Sequence, residues 1–357
     1  MRFALSDDQA AFRDAVRDLL AKECPPSVVR AAWDAPPGQL DRGVWESLGA
    51  MGVLDLLVPE ADGGLGLDET YLVPILEACG RVALPHPVVE TAMVAAPLLG
   101  AGAGMVTTDL GGPLIPCAAD SDTLIFRRGR TLARVPCSAV DLRPVPTTDG
   151  ARRAARAGSP APSAAPAATD GGVGSDPTPD PAEQVTRIRA GVHEVLQAVA
   201  QESVLTDDLD AVDLAFDRGA LGTAAVLVGL GQTMLDMTVG YVRERHQFGV
   251  PIGSFQAVKH HLADAALALE FARPAVWRAA WSVAHDEPTR ARDVSMAKAM
   301  ASDSAELVGR KALQCHGAIG YTVEADLHLY LKRTWALARS WGDSAFHTDR
   351  VATALGT

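Results

Sequence analysis

The sequence predicts a mainly α-helical protein with a small β domain in the middle of the chain. Three observations predict this class: apolar residues recur at helical spacing over roughly the first 105 residues, short β-type runs follow, and long helical patterns fill the last half. The chain has 357 residues, of which 48% are hydrophobic. It is therefore long enough for two or three domains and a buried cofactor site.

Residues 1–104 are expected to form an N-terminal helical domain. Ser6 is a good N-cap for a first amphipathic helix, and a second helix reaches Gly52. A third helix is predicted from about Glu69 to Val82, since apolar residues repeat there along one face. These patterns together indicate helices packed on one another.

Residues 105–156 are expected to form a reduced β domain. Runs such as Thr123–Phe126 and Leu132–Val135 are short and lie between Gly, Pro and Asp. Residues 157–183 are dominated by Ala, Pro, Gly and Ser, with almost no large apolar side chain to bury. Such a composition cannot offset the entropy of ordering, so a disordered linker is predicted there.

Residues 184–357 are expected to form a C-terminal helical bundle. Helical spacing runs from Ile188 to Val204, and Asp217 precedes a long apolar helix. A further helix is predicted from Phe255 to Trp277, with Pro274 as a kink or break. The segment from Ala291 to Leu355 indicates two or three more helices.

Charge and cysteine content restrict the class of protein. The formal net charge is −12, so nucleic acid and anionic membranes are not expected as partners, and an anionic ligand needs a local basic pocket. The beginning of the chain carries acidic residues and no long apolar run, and the five cysteines are scattered without CxxC spacing. We therefore expect a reduced protein of the cytoplasm. The cysteines are Cys24, Cys79, Cys117, Cys137 and Cys315.

No metal site is predicted. His260 and Asp264 have the i, i+4 spacing of a ligand pair on a helix, but the sequence offers no evident third ligand. Lys332 and Arg333 could meet a phosphate, although a solvated helix face is the expected place for such a pair.

Two stretches of the bundle carry residues suited to a flat, anionic cofactor. Arg245 begins the first stretch, and its fork-shaped, permanently charged guanidinium suits a pyrophosphate. The glutamines can both donate and accept hydrogen bonds, and the glycines let the backbone approach a ligand closely. The alternative is that the arginine only caps carbonyl groups and the glycines only form turns. The candidate cofactor-binding residues are Arg245, Gln247, Phe248, Gln256, Gln314, Gly317, Ala318 and Gly320.

These stretches resemble the flavin-contacting signature of the acyl-CoA dehydrogenase family. The run from Arg245 to Gly249 is followed by Ser254-Phe255-Gln256, and the run from Gln314 to Tyr321 comes later in the same order as in the family. Near the start, Val58-Pro59-Glu60 and Gly63-Gly64-Leu65-Gly66 are similar to the family's N-terminal loop. The resemblance implies a helical, β and helical-bundle domain order, FAD as cofactor, an acyl-CoA substrate, and an acceptor such as an electron-transfer flavoprotein.

The resemblance also implies that the usual catalytic base is absent from the two positions where the family carries it. The family places a glutamate either in the last bundle segment or on the long helix some 26 residues before the motif arginine. These positions hold Trp341 and Gly219 here, and neither side chain can take a proton. Asp217 and Asp343 flank the two positions as weak candidates, because a carboxylate two residues away points differently on a helix.

The middle of the chain departs from the family as well. The Thr-Glu-Pro and Gly-Ser-Asp elements that hold the flavin ring have no match between Gly100 and Gly150. In the family each flavin lies across a subunit interface, and this chain keeps the elements that one subunit lends to the other. We therefore predict a non-catalytic subunit that pairs with a paralogous catalytic chain, resembling the short subunits of α2β2 enzymes acting on steroid side-chain CoA thioesters in actinobacteria. A self-sufficient homo-oligomeric dehydrogenase and a scaffold or regulatory module without flavin are the alternatives.

Overall fold

A computed structural model describes residues 4–157 and 204–357. The mainly helical fold with a small β region agrees with the sequence prediction. Ser6 caps the first helix and forms a capping box with Gln9. A helix beginning at Pro26 was not predicted, although proline suits the first position of a helix. The N-terminal helices are α1 (Asp7–Glu23), α2 (Pro26–Asp34), α3 (Gly43–Ala50) and α4 (Glu69–Arg81), followed by a π-helical stretch (Val89–Ala95) that continues into α5 (Ala96–Leu99).

The β region consists of two small sheets. One sheet has the order β1-β3-β4-β7, with β1 parallel to β3 and the other neighbours antiparallel. The other sheet is antiparallel with the order β2-β6-β5. The strands are β1 (Val106–Thr108), β2 (Ile115–Pro116), β3 (Thr123–Arg128), β4 (Thr131–Pro136), β5 (Leu142–Val145), β6 (Ala154–Ala157) and β7 (Val204–Thr206).

Strand β7 lies where the helical pattern of Ile188–Val204 was expected to end. Val204 instead pairs with Ala133 of β4, so the larger sheet takes a strand from beyond the middle segment. The rest of that predicted helix lies outside the described residues. The same holds for the predicted linker at residues 157–183, apart from Ala157, which ends β6.

Five long helices follow, and two of them differ from the prediction. Helix α6 begins eight residues before Asp217, with Asp208 as its N-cap, so Asp217 is a buried residue inside the helix. Helix α7 continues through Pro274 without a break and ends at Ala284, seven residues beyond the predicted end at Trp277. The three helices that follow agree with the prediction for the end of the chain. The bounds are α6 (Leu209–Glu244), α7 (Gln256–Ala284), α8 (Arg290–His316), α9 (Leu327–Arg339) and α10 (Ser344–Leu355), with a short hairpin of β8 (His246–Gln247) and β9 (Val250–Pro251) after α6.

Helix α6 runs through the main hydrophobic core and crosses α4 at very short range. A Cβ added at Gly229 would overlap the carbonyl oxygen of Glu77, and one added at Gly80 would overlap that of Val226. The two helices therefore touch backbone to backbone, which only glycine permits. Helix α6 is long and apolar enough to cross a membrane, yet 83% of its most apolar window is buried inside the fold. Its apolar character thus serves the core.

A buried ion pair connects the bundle with the β region. Arg333 of α9 pairs with Asp149, and the same guanidinium donates to the carbonyl oxygen of Leu84. Both charged side chains are almost fully buried. The expectation that Arg333 lies on a solvated face is therefore wrong, because the pairing brings together residues 184 positions apart in the sequence.

Candidate functional site

The predicted cofactor residues gather at one end of the bundle, which we call the signature end (residues 241–256 and 314–321). Tyr241 of α6 stacks on His316 of α8 with ring centroids 4.4 Å apart, and burial lowers the pKa of His316. Val242, Ile252 and Cys315 form a small buried cluster beneath them. The structure therefore places the Arg245 loop, the start of α7 and the end of α8 side by side.

Arg245 stands at the C-terminal end of α6 with its side chain exposed. Its backbone N–H bonds to Tyr241 and its carbonyl oxygen accepts from Ile252, which fixes the loop. Within residues 4–157 and 204–357, its guanidinium has no hydrogen-bond or ion-pair partner in the structure. A fixed backbone that presents an uncommitted cation suits the binding of an anion.

The other predicted residues surround this arginine in different ways. Gln247 lies in β8 and is exposed, as is Gln314 near the end of α8. Phe248 is 91% exposed and adopts a positive φ of 52°, with its ring at the edge of Phe255. Gln256 begins α7 and contacts the ring of His260 at 3.1 Å.

The glycine-containing turn after α8 has both open and closed positions. Gly317 has a φ of 64°, and nothing lies within 4 Å of where its Cβ would be. Ala318 is exposed, whereas Gly320 is buried against His316 and Leu313. A ligand can therefore reach the backbone at Gly317 and Ala318, while Gly320 serves the packing of the turn.

The two positions where the family places its base lie together, far from the signature end. A Cβ added at Gly219 would overlap the ring atoms Cη2, Cζ3 and Cε3 of Trp341. Trp341 has no exposed surface, and its indole nitrogen lies 3.0 Å from the Cβ position of Gly111. Phe216 packs against the same indole at a centroid distance of 5.9 Å. We call Gly111, Phe216, Gly219 and Trp341 the Trp341 cluster.

Two buried basic residues hold the backbone of this cluster. The Nζ of Lys298 donates to the carbonyl oxygens of Gly342 at 3.0 Å and Ala338 at 3.2 Å, and to the hydroxyl of Ser302. The Nε2 of His347 lies 2.7 Å from the carbonyl oxygen of Trp341. Burial lowers the pKa of Lys298 to about 7, and burial together with Lys298 lowers the pKa of His347 to about 4. His347 is therefore neutral near pH 7 and donates its Nε2–H.

Asp217 and Asp343, the weak candidates for a base, both have structural partners. Asp217 is fully buried between Arg290 at 3.1 Å and Arg350 at 2.7 Å. Asp343 is exposed and accepts a hydrogen bond from the backbone of Phe346 as the N-cap of α10. Each carboxylate is committed to holding helices, which argues against proton abstraction by either one.

No structural or functional role was predicted for Lys298 or His347 from the sequence. A signal for Lys298 does exist in the sequence, because it lies four residues after Val294 and three before Ala301 on the buried face of α8. A lysine in an apolar stripe indicates a specific partner. His347 gives no comparable signal, since its partner is a backbone carbonyl. Among the described residues, no three His, Cys, Asp or Glu side chains are grouped as a metal site.

Comparison with known proteins identifies the class. The acyl-CoA dehydrogenase N-terminal domain profile matches residues 6–105, and the acyl-CoA dehydrogenase C-terminal domain profile matches residues 209–356. The chain therefore belongs to the acyl-CoA dehydrogenase family, which confirms the resemblance drawn from its motifs. Membership identifies FAD as the cofactor and oxidation of an acyl-CoA as the reaction class.

One relative and two solved structures match nearly the whole chain, and a second relative matches less than a third of it. The acyl-CoA dehydrogenase IpdE2 of Mycolicibacterium smegmatis is 30% identical over 350 residues, which are 95% of this chain and 96% of the relative. The mitochondrial short-chain specific acyl-CoA dehydrogenase of Homo sapiens is 40% identical, but only over 30% of this chain and 26% of its own length. Butyryl-CoA dehydrogenase of Megasphaera elsdenii shares the fold with a TM-score of 0.79 at 19% identity, each chain being covered completely. A chain of the ChsE4-ChsE5 complex of Mycobacterium tuberculosis gives a TM-score of 0.80 at 20% identity, covering 100% and 99%.

The two regions fit FAD differently. The signature end offers an exposed cation and an open backbone at Gly317, which fit the pyrophosphate of the cofactor. At the Trp341 cluster, the side chain of Trp341 fills the space beside Gly219. The space between these two residues is therefore closed in this structure.

Proposed function

We propose that this chain is the non-catalytic subunit of a heteromeric acyl-CoA dehydrogenase. Its signature end completes an FAD site whose ring pocket and catalytic base belong to a paralogous partner. The complex desaturates an acyl-CoA thioester between the α and β carbons and passes the electrons to an acceptor such as an electron-transfer flavoprotein. The five described cysteines are all free and buried, which supports a site of action in the reducing cytoplasm.

One observation carries the proposal, namely that Trp341 fills the space over Gly219 whereas Arg245, further along the same helix, is exposed. Arg245 follows Gly219 by 26 residues at the end of α6, and a rise of 1.5 Å per residue puts them about 39 Å apart along the axis. The ring and the first phosphorus atom of FAD are joined by about seven bonds, which span at most roughly 10 Å. A flavin held by Arg245 therefore cannot reach position 219 or 341 of the same chain.

Two neighbouring structures support the heteromeric form. The ChsE4-ChsE5 structure is a complex of two chains, and a Tcur3481-Tcur3483 steroid enzyme shares the fold with a TM-score of 0.75. We extend this to the substrate and propose the CoA thioester of a steroid fragment.

The residues of this chain act by binding and positioning. FAD would supply the acceptor for the hydride of the β carbon of the acyl group. Arg245 would hold the pyrophosphate, Gln247 and Gln314 would hydrogen-bond to the cofactor, and Phe248 would contribute an apolar ring beside it. Because no base is assigned to this chain, the α-proton is removed by a residue of the partner.

Purification of the chain alone and after co-expression with its nearest paralogue tests the proposal. Flavin absorbance per protein and mass by light scattering are measured for both preparations, followed by acyl-CoA oxidation with a panel of CoA thioesters that includes steroid fragments. The expected result is flavin only in the mixed complex, at one per pair of unlike chains, with turnover.

Two other results would replace the proposal. A flavin-loaded homo-oligomer that oxidises an acyl-CoA without a partner would make the chain a self-sufficient enzyme. A mixed complex without flavin at any ratio would favour a scaffold or regulatory module. Arg290 and Arg350 on Asp217, and the helix cap made by Asp343, disfavour the first of these.

A further inference from the structure

We infer that Trp341 is a built-in plug that closes this chain's own reaction centre, and that the space it fills binds a flat aromatic ring once the indole is removed. The inference deepens the proposed function, because it explains why only one site per pair of chains is open. It depends on the contacts of Trp341 and not on the partner.

The position of the plug follows from the contact between Trp341 and Gly219. The family uses either of these two positions for its base, and both choices must reach the same carbon of the substrate. In this structure the two positions touch, since three ring atoms of the indole lie directly over the backbone of Gly219. The indole therefore stands where the two alternative carboxylates would converge.

The fit around the indole is complete. Trp341 has no exposed surface, Gly111 approaches it from the β region, and Phe216 packs against it from α6. Any larger residue at Gly219 would collide with the ring. The glycine and the tryptophan are thus complementary in volume, and together they close the space.

The backbone of the plug is held from three sides. The N–H of Trp341 donates to Gly111 at 2.6 Å, its carbonyl oxygen accepts from His347 at 2.7 Å, and the next carbonyl oxygen, of Gly342, accepts from Lys298 at 3.0 Å. Trp341 has a φ of 59°, which a bulky residue adopts only when its surroundings impose it. Opening the site would require several of these bonds to break together.

The indole nitrogen indicates that the side chain of Trp341 is held by its shape and not by a hydrogen bond. The Nε1–H of Trp341 is buried without a hydrogen-bond partner among the described residues. A ring without that group, such as phenylalanine, therefore keeps the apolar contacts and loses no hydrogen bond. Trp341→Phe therefore keeps an aromatic ring in the site, whereas Trp341→Ala removes it.

The test uses the full chain co-expressed with its paralogue and compares Trp341→Ala, Trp341→Phe and the natural complex. Free indole is titrated by calorimetry, and the unfolding temperature is followed with and without it. Apolar cavities of this kind stay dry and take up aromatic molecules. Indole is expected to bind Trp341→Ala at one molecule per chain and to raise its unfolding temperature by about 5 °C at saturation. It should leave the other two proteins unchanged.

A folded Trp341→Ala protein that binds no indole would overturn the inference, as would equal binding by the natural complex. If Trp341→Ala does not fold on its own, indole is added during expression, and recovery of soluble complex replaces the calorimetric signal, with Trp45→Ala as a control for a distant buried tryptophan. Absence of recovery with indole would also count against the plug. The ratio of flavin to chains in the natural complex tests the proposed function separately.

Discussion

The two ends of helix α6 differ in almost every physical respect. At its C-terminal end, Arg245 and Phe248 are exposed, and the backbone at Gly317 is open. Near its N-terminal end, Trp341 is fully buried over Gly219, and its backbone is tied to three other elements. The comparison teaches that one helix can present an open, cationic end and a closed, fully packed end within the same fold.

The largest expected difference in stability is that between alanine substitutions of Trp341 and Phe248. Trp341→Ala should lower the free energy of unfolding by about 4 kcal/mol, since it removes a fully buried ring. Phe248→Ala should change it by less than about 0.5 kcal/mol, because Phe248 is 91% exposed. Urea unfolding of both variants measures the difference. Similar costs for the two substitutions would contradict the contrast between the ends.

Asp217→Asn separates a structural role from a catalytic one. The substitution removes the buried carboxylate that Arg290 and Arg350 share and leaves Arg290 only its exposed partner Asp286, which should cost about 3 kcal/mol of stability. Turnover per bound flavin in the complex should remain unchanged. Asp213→Asn, on the exposed side of the same helix, is the matched control. A loss of turnover at full flavin occupancy would reinstate Asp217 as a base.

The pH dependence of stability should reveal His347. Its pKa is lowered from 6.5 to about 4 in the folded state, so the unfolded chain binds more protons between these values. The contribution of His347 to folding stability is therefore complete above pH 6.5 and is lost as the pH falls towards 4, by at most roughly 3 kcal/mol. His347→Gln should flatten this slope in unfolding curves from pH 4 to pH 8. An unchanged slope would mean that another group causes the acid sensitivity.

Arg245→Ala should weaken flavin binding by the assembled complex. Loss of charge-assisted hydrogen bonds of about 2 kcal/mol corresponds to roughly 30-fold lower affinity. Helix content by circular dichroism should not change, because Arg245 is exposed. Arg243→Ala, two residues earlier and also exposed, should retain the flavin. Full flavin occupancy in the Arg245 variant would remove the assignment to the pyrophosphate.

The smallest expected changes in stability come from alanine substitutions of two glycines in helix α6. Gly219→Ala should destabilise the chain by about 1 to 2 kcal/mol, because the added Cβ meets the indole of Trp341. Gly240→Ala should stabilise it by about 0.5 to 1 kcal/mol, since nothing lies within 4 Å of that position. Thermal unfolding of both variants gives the sign directly. A neutral Gly219→Ala would indicate that the indole can move aside.

Sequence patterns predicted the elements of the fold better than their ends. Apolar spacing identified α1, α4 and the closing helices, because periodicity reports directly on a buried face. The start of α6 was misplaced, since Asp208 and Asp217 both resemble an N-cap and only Asp208 accepts from the backbone. Pro274 does not end α7 because it lies on the exposed side, where water can satisfy the carbonyl group left without a donor.

The sequence motifs predicted which residues form the candidate site, but they did not predict the contacts between residues distant in the chain. The motif residues near Arg245 and Gln314 meet at one end of the bundle. Contact between Gly219 and Trp341 joins residues far apart in the chain, and no local pattern encodes it. The burial of Lys298 and Arg333 likewise depends on acceptors supplied by distant backbone.

The crossing of α4 and α6 at Gly80 and Gly229 has a consequence for insertions and deletions. Each residue of a helix turns the chain by about 100°, so one inserted residue on either side of the crossing rotates everything beyond it. Arg245 lies 16 residues beyond Gly229, and its direction in space is set by counting from that contact. Substitutions on either side of the crossing should therefore be tolerated far better than insertions or deletions. The direction in which Arg245 points is set by the two glycines of the crossing.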